Sequence, residues 1–169
     1  MIWPTSETLT SDRLRLEPLA VEHAAEMIDV LADPSLYKYT GGEAPSGEQL
    51  HRRYAAQSLG QSGDGTQGWF NWIVKLQDGD TPVGFVQATV DQQERGLEAN
   101  IAWVISPEHQ GQRIASEATK AMIDWLKAND ISRYVAFVHP GHQASIGVAR
   151  NQGLRPTSVI EDGEIRWES

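Results

Sequence analysis

The sequence predicts a mixed α/β fold, with helices packed on a mostly antiparallel sheet of about seven strands. Two observations predict it. Three strand-like segments follow one another in the middle of the chain, joined only by short polar turns. An amphipathic helix then separates two strands in the unit Glu98–Val138. Short turns join antiparallel neighbours, whereas a crossover helix returns the chain parallel. We therefore expect one domain over residues 1–169, with a single parallel crossover near its centre.

The elements of the first half follow from local patterns in chain order. Alternating apolar and charged residues predict an opening strand over Leu14–Leu19. Apolar residues at helical spacing predict a helix over Val21–Leu31, which an Asp-Pro pair ends. Ser46, with Gln49 three residues on, has the pattern of a capping box. It predicts the start of a second helix that runs through Leu59.

The second half begins with a meander. Aromatic and β-branched residues predict strands over Trp69–Leu76, Val83–Val90 and Glu98–Ile105. One apolar face predicts a long helix over Ile114–Asn129. A short buried strand follows at Tyr134–Val138. The remaining elements are a short helix at 145–152 capped by Gly153, and two strands at 157–160 and 164–167 around an Asp-Gly turn.

Composition excludes several functional classes. The chain has no cysteine, so disulfide frameworks, thiolate metal sites and a cysteine nucleophile are ruled out. We expect no metal, because no carboxylate at zinc-like spacing accompanies His109, His139 and His142. The net charge of −9 argues against nucleic-acid binding. It is compatible with a cationic acceptor, although solubility is the stronger explanation. No apolar run or leader pattern appears, which predicts a cytoplasmic protein without a membrane partner.

The crossover unit has the chemistry of a phosphate site. A strand ends at Ile105 and a helix starts near Ile114, where free backbone N–H groups and the helix dipole favour an anion. Gly111 and Ala115 are small and permit close approach of a ligand, and Arg113 adds a positive charge. A pyrophosphate fits this arrangement. The alternative is that Gly111 only permits a tight turn and Arg113 is solvated.

Three segments carry a resemblance to a known family. Pro107-Glu108-His109-Gln110-Gly111-Gln112-Arg113-Ile114-Ala115 resembles the coenzyme A motif of the GNAT (GCN5-related N-acetyltransferase) superfamily. Gln110 and Ala115 match the ends of that motif, and Arg113 replaces its first glycine. The N–H of Arg113 stays available if its φ remains negative. The opening Thr10–Leu16 and the segment His142–Leu154 resemble the branch that contains the ribosomal-protein N-terminal acetyltransferases.

The resemblance implies a sheet that splays open after the strand ending at Ile105, with acetyl-coenzyme A as cosubstrate in the wedge. The pantetheine arm would pair with backbone there, and the pyrophosphate would lie on the helix start. His142 would hold the coenzyme; its alternative is a plain loop residue. The residues assigned to acetyl-coenzyme A are Trp103, Val104, Ile105, Gln110, Gly111, Gln112, Arg113, Ile114, Ala115, Ser116 and His142.

Amine acetylation needs a base for the amine proton and a hydrogen bond to the leaving thiol. Glu98 is the first candidate base, and Asn100 on the same strand face could hold a relaying water. The alternative for Glu98 is a solvated residue at a strand start. The family's usual tyrosine acid is replaced by Ala149. Ser145 is the expected stand-in, although it could simply cap its helix.

The leading hypothesis is an N-acetyltransferase that acts on a primary amine, either a protein N-terminus or a small amine. The oligomeric state is open, with a homodimer as one alternative, since domains of this family often dimerise. A non-catalytic acyl-coenzyme A binding or sensing module is the alternative, because of Arg113 and Asn100. In this fold the acceptor is selected by the loops over Tyr37–Gly68 and the C-terminal hairpin. Most of Trp69, Phe70 and Trp72 are expected in the core, with one lining the acceptor pocket.

Overall fold

The computed structural model describes residues 2–169, within which one eight-stranded sheet is flanked by four α-helices. The strands are β1 Leu9–Thr10, β2 Leu14–Pro18, β3 Gly68–Leu76, β4 Thr81–Gln93, β5 Gly96–Ile105, β6 Arg133–Val138, β7 Arg155–Glu161 and β8 Glu164–Glu168. The helices are α1 His23–Val30, α2 Gly47–Gln57, α3 Ile114–Ala128 and α4 Gln143–Asn151. None of these helices is both long enough and apolar enough to cross a bilayer.

The sheet runs in the order β1-β2-β3-β4-β5-β6-β8-β7. Every neighbouring pair is antiparallel except β5–β6, which is parallel and connected through α3. The predicted fold class and the single parallel crossover are therefore confirmed. The last two strands exchange places, so that β8 lies between β6 and β7.

Two apolar clusters hold the helices on opposite faces of the sheet. On one face, α1 and α2 bury Met27 and Leu50 against Ile73 of β3. On the other face, α3 buries Met122 and Leu126 in the main cluster formed with the central strands. Each such side chain contributes about 1.5–3 kcal/mol when it is removed from water. The sheet between the two clusters is therefore a rigid base for the groups that project from its edges.

Strands β5 and β6 pair over only three positions before they separate. The register joins Glu98 to Arg133, Ala99 to Tyr134 and Asn100 to Val135. From residue 101 to residue 105, β5 keeps β4 as a partner but has none on the β6 side. The backbone on that side is left free for another hydrogen-bonding chain. The splayed wedge expected from the resemblance is confirmed, and it opens four residues earlier than Ile105.

The sequence did not indicate strand β1. Leu9 and Thr10 pair with Leu16 and Arg15 of β2. Two residues are too few to produce a periodic pattern. The segment is fixed instead by distant contacts, since the backbone carbonyl of Glu7 accepts a hydrogen bond from the Trp72 indole N–H at 2.9 Å.

A charged cluster beside α1 makes folding sensitive to acid. Glu17 lies within 3.0 Å of His23 Nε2 and of Lys75 Nζ, and Lys75 also bonds Glu26 at 3.0 Å. Burial alone would raise the pKa of Glu17, but hydrogen bonds from His23, Lys75 and Arg15 outweigh it and hold the pKa at about 2. Glu17, His23 and Glu26 are close enough together to ligate a metal ion. The ammonium of Lys75 already bonds both carboxylates.

Because the folded pKa of Glu17 lies below its ordinary value of 4.5, the cluster stabilises the native state fully above about pH 4.5. That stabilisation is lost as the pH falls toward 2. We expect Glu17→Gln to flatten the decrease in unfolding free energy between these pH values, as measured by urea denaturation. An unchanged slope in the variant would contradict the assignment.

Candidate active site

A cavity of about 220 Å³ opens where β5 and β6 diverge. One wall is the free edge of β5, from Ile101 to Ile105. The opposite wall comes from the end of β6 and the start of α4, which contribute Val138, His142 and Ser145. The cavity therefore has a backbone edge on one side and side chains that can move protons on the other.

A second cavity of about 250 Å³ lies at the start of α3, beside the first. Gln110, Gly111, Arg113, Ala115 and Ser116 line it. No side chain caps the helix, so its first N–H groups have no partner from the protein. Oriented N–H groups of this kind bind anions such as phosphate.

Arg113 lies immediately before α3 with a φ of +62°. The condition of a negative φ is not met: the chain keeps the left-handed backbone that suits a glycine, and an arginine adopts it at a cost of about 1–2 kcal/mol. Its side chain is exposed and belongs to none of the ion pairs within residues 2–169. A guanidinium free of partners at a helix start is available to an anionic ligand.

The two cavities bring together most of the residues assigned to the cosubstrate. The first contains Trp103, Val104, Ile105, Gln110, Ala115, His142 and Ser145. The second adds Gly111, Arg113, Ile114 and Ser116. The Gln110 side chain donates to the carbonyl of Ile105 at 2.9 Å, which ties the turn to the end of β5. Gln112 is exposed and lines neither cavity.

Glu98 and Asn100 lie outside both cavities. The Glu98 carboxylate is held by two guanidinium groups, Arg133 at 2.9 Å and Arg166 at 3.0 Å. Arg133 is the register partner of Glu98 on β6, and Arg166 lies on β8, which pairs with β6. Asn100 is exposed at the last paired position. Glu98 joins β5 to β6 and β8 through these two ion pairs, and the roles of base and water relay stay predictions for Glu98 and Asn100.

Ser145 and His142 form a pair inside the first cavity. Ser145 Oγ lies 3.3 Å from His142 Nε2, and no side chain caps α4 through a hydrogen bond. The Tyr39 ring stacks on the His142 imidazole at 4.6 Å and fixes its plane. Burial, followed by the nearby His139, lowers the pKa of His142 below its ordinary value. The imidazole is therefore neutral near pH 7, with one donor and one acceptor nitrogen.

Glu164 is the carboxylate that the sequence did not reveal. It begins β8 and lines the same cavity as Ser145 and His142. Burial raises the pKa of Glu164 above 4.5, with His139 opposing the shift. A raised pKa in a cleft is characteristic of a carboxylate that exchanges protons. The only local signal for Glu164 was its position directly after the Asp-Gly turn. That position predicted a hairpin strand and gave no indication that the side chain lines a cavity.

The three aromatic residues of β3 divide between the core and a surface cavity. Phe70 and Trp72 are buried against Trp125, with ring centroids 5.1 Å apart in each case. Trp69 instead lines another cavity, of about 220 Å³, under α2. Tyr37 donates its hydroxyl to the carbonyl of Leu31 at 2.7 Å.

The sequence matches the family described as "Acetyltransferase (GNAT) domain" over residues 13–155. It is 28% identical over 160 residues to the uncharacterized N-acetyltransferase p20 of Bacillus licheniformis, covering 94% of this chain and 88% of that protein. RimL, a ribosomal L7/L12 alpha-N-protein acetyltransferase solved with coenzyme A, shares the fold with a TM-score of 0.78 and 17% identity. That match covers 96% of this chain and 97% of RimL.

The microcin C7 self-immunity acetyltransferase MccE, solved with acetyl-CoA and AMP, matches with a TM-score of 0.74 and 14% identity over 94% of this chain and 93% of its own. The family match spans most of the chain, and the fold has the predicted wedge. The chain therefore belongs to the GNAT acetyltransferase family and is an acetyl-CoA-dependent acetyltransferase.

Proposed function

We propose that this protein is an N-acetyltransferase that moves the acetyl group of acetyl-CoA directly to a primary amine in a ternary complex. The observation that carries the proposal is the presence of Glu164 and Ser145 in one cavity along the free edge of β5. A base and a hydrogen-bond donor there suit the two proton movements that amine acetylation requires. RimL solved with coenzyme A and MccE solved with acetyl-CoA support the choice of donor.

The donor residues fit an extended thioester ending in phosphates. The unpaired backbone of β5, from Ile101 to Ile105, would hydrogen-bond the amide groups of the pantetheine arm like an added strand. The N–H groups at the start of α3 and the guanidinium of Arg113 would hold the pyrophosphate. Ala115 leaves room for that contact, because its side chain is a single methyl group.

Glu164 would take the proton from the acceptor ammonium, so that the neutral amine attacks the thioester carbonyl carbon. The backbone N–H of Val104 would donate to the carbonyl oxygen as negative charge develops. The carbon–nitrogen bond forms, the carbon–sulfur bond breaks, and the proton left on the new amide nitrogen passes to the thiolate, so that the products are the amide and the free thiol. Ser145 would then donate its hydroxyl hydrogen bond to the sulfur, while His142 Nε2–H donates to Ser145 Oγ and keeps that hydroxyl directed at the leaving group.

The test measures thiol release from acetyl-CoA with a panel of amines, together with coenzyme A affinity by calorimetry. Arg113→Glu should weaken coenzyme A binding by about tenfold to a hundredfold, because it places an anion beside a pyrophosphate. Arg113→Gly should weaken binding less and stabilise the fold by about 1 kcal/mol, because it relieves the left-handed strain. Both should slow release at low cosubstrate concentration.

The matched control is Arg155→Glu, an exposed charge reversal on β7 that lines neither cavity. Equal affinities for all three variants would contradict the pyrophosphate assignment. Tight coenzyme binding with no amine-dependent thiol release would overturn the enzymatic proposal in favour of a sensing module.

A further inference from the structure

The first cavity, between β5 and β6, is called the central cavity from here on. It adjoins a polar groove beneath α2. A cavity of about 270 Å³ lies between α2 and the sheet and shares Phe85 and Gln87 with the central cavity. A smaller cavity of about 220 Å³ extends it as far as Trp69 and Thr89. We call this continuous space the α2 groove. Its polar lining consists of Arg53, Tyr54, Gln57, Asn71, Gln87 and Thr89.

The sheet sets the length and floor of the α2 groove. Phe85, Gln87 and Thr89 project from one face of β4, and residues two apart on a strand are roughly 6.6 Å apart. The floor from Phe85 to Thr89 is therefore roughly 13 Å long. Asn71 and Gln87 are register partners across β3 and β4, so two amide side chains lie next to each other on this floor.

Tyr54 lines the groove and carries a buried hydroxyl that is unsatisfied. The residue is 4% exposed, and its Oη has no hydrogen-bond partner within residues 2–169. Burial raises the pKa of Tyr54 to about 12, so the hydroxyl keeps its proton and can donate. A buried hydroxyl without a partner is unfavourable, and a ligand oxygen that accepts from it removes the penalty.

Arg53 gives the groove a positive charge. It lines both parts of the groove and belongs to none of the ion pairs within residues 2–169. The protein as a whole carries a net charge of −9, which would draw a polycationic acceptor. A free guanidinium in the groove repels such a ligand locally and attracts a carboxylate.

We infer that the acceptor is a primary amine carrying a carboxylate that lies within roughly 13 Å of the amino group, the length of the groove floor. This rests on the proposed function. The amine lies at the Phe85 end, beside Glu164, and the carboxylate lies against Arg53 with Tyr54 Oη donating to it or to the adjoining polar group. Asn71 and Gln87 bind amide groups between the two ends.

Triglycine, triglycinamide and spermidine test the inference. Triglycine and its amide share the amine and the backbone and differ in one charge; spermidine has no carboxylate. The wild-type protein should use triglycine with a kcat/KM about ten- to a hundredfold above that for triglycinamide, because a charge-assisted hydrogen bond is lost in the amide. Spermidine should be the poorest acceptor.

Two variants test whether Arg53 and Tyr54 cause the preference for an acceptor with a carboxylate. Arg53→Glu should abolish the advantage of triglycine over triglycinamide, whereas Arg52→Glu is the control. Arg52 is an exposed neighbour on the same helix, lines no part of the groove and undergoes the same charge reversal. Tyr54→Phe should raise KM for triglycine several-fold without lowering the melting temperature, because the hydroxyl makes no hydrogen bond in the folded chain.

Preference for triglycinamide or spermidine in the wild type would overturn the inference, as would equal effects of Arg53→Glu and Arg52→Glu. If no amine releases thiol, the proposed function fails separately. Calorimetric titration of triglycine and triglycinamide into the protein with coenzyme A then decides the inference. About tenfold tighter binding of the acid, lost in Arg53→Glu, supports it, and equal affinities overturn it.

Discussion

Glu164→Gln should lower kcat by about a hundredfold to ten-thousandfold, the range that a positioned general base supplies. The glutamine keeps the size and hydrogen-bonding capacity of the side chain in the cavity but cannot take the proton of the acceptor ammonium. Since burial raises the pKa of Glu164, the wild-type kcat/KM should fall on the acid side at a pH above the ordinary carboxyl value of 4.5. That acid limb should be missing from the variant, and coenzyme A affinity should be unchanged.

Glu161→Gln is the matched control for this experiment. Glu161 is the register partner of Glu164 across the β7–β8 hairpin, and it is exposed outside the central cavity. The variant should keep the wild-type rate and pH profile. A Glu164→Gln enzyme that retained full activity with its acid limb intact would exclude Glu164 as the base.

Glu98→Gln separates the two candidate carboxylates. Glu98 is fastened by Arg133 and Arg166, so its loss should lower the unfolding free energy by about 1–3 kcal/mol. The acid limb of kcat/KM should remain, because the cavity carboxylate is untouched. A pH profile altered by Glu98→Gln but not by Glu164→Gln would return the base role to Glu98.

Gly84→Ala should be the most damaging single change to the fold. A Cβ at this position would overlap the carbonyl oxygen of Val104 and lie 3.0 Å from Cα of Ile105. Both contacts are with backbone, which cannot rotate away as a side chain does. Overpacking of a core ordinarily costs 1–3 kcal/mol, and a clash this short should reach or exceed the upper end. For a chain of this size, about 3 kcal/mol lowers the melting temperature by roughly 6–12 °C.

The same clash should reduce activity in whatever fraction folds, because it moves Val104 on the edge of β5 that we propose binds the cosubstrate. Thermal denaturation and thiol release measure the two effects together. Gly63→Ala is the control, since a Cβ there meets nothing within 4 Å and no positive φ is required. Equal melting temperatures for the two variants would mean that β4 and β5 are farther apart than the structure has them.

The elements that local chemistry determines were predictable. Ser46 accepts from the Gln49 N–H at 3.1 Å while the Gln49 side chain accepts from the Ser46 N–H at 2.9 Å, so the capping box is confirmed. Gly153 follows α4 with a φ of +82°, as expected for a residue that ends a helix. In both cases the residues that determine the helix end lie within three positions of it along the chain.

The site was harder to predict because long-range packing assembles it. Glu98 was the first candidate base because it lies on the strand leading to the wedge, but its ion pair with Arg166 joins residues 68 positions apart. Glu164 reaches the cavity only because β8 inserts between β6 and β7, an order that alternation along a strand does not encode. Gly84 likewise had a visible signal, a glycine inside a strand, but its reason is the close approach of the neighbouring backbone.

Because β5 and β6 pair over only three positions, binding of the cosubstrate beside them should affect the stability of the sheet. Three register pairs and the two ion pairs of Glu98 join the first five strands to the last three along the sheet, in addition to the apolar cluster beneath them. The pantetheine arm, hydrogen-bonded to the open edge of β5, would act as a ninth strand that fills the gap between β5 and β6 and leaves after each reaction. Each turnover would then briefly complete and reopen the sheet, so cosubstrate abundance would govern the resistance of the protein to unfolding as well as its rate.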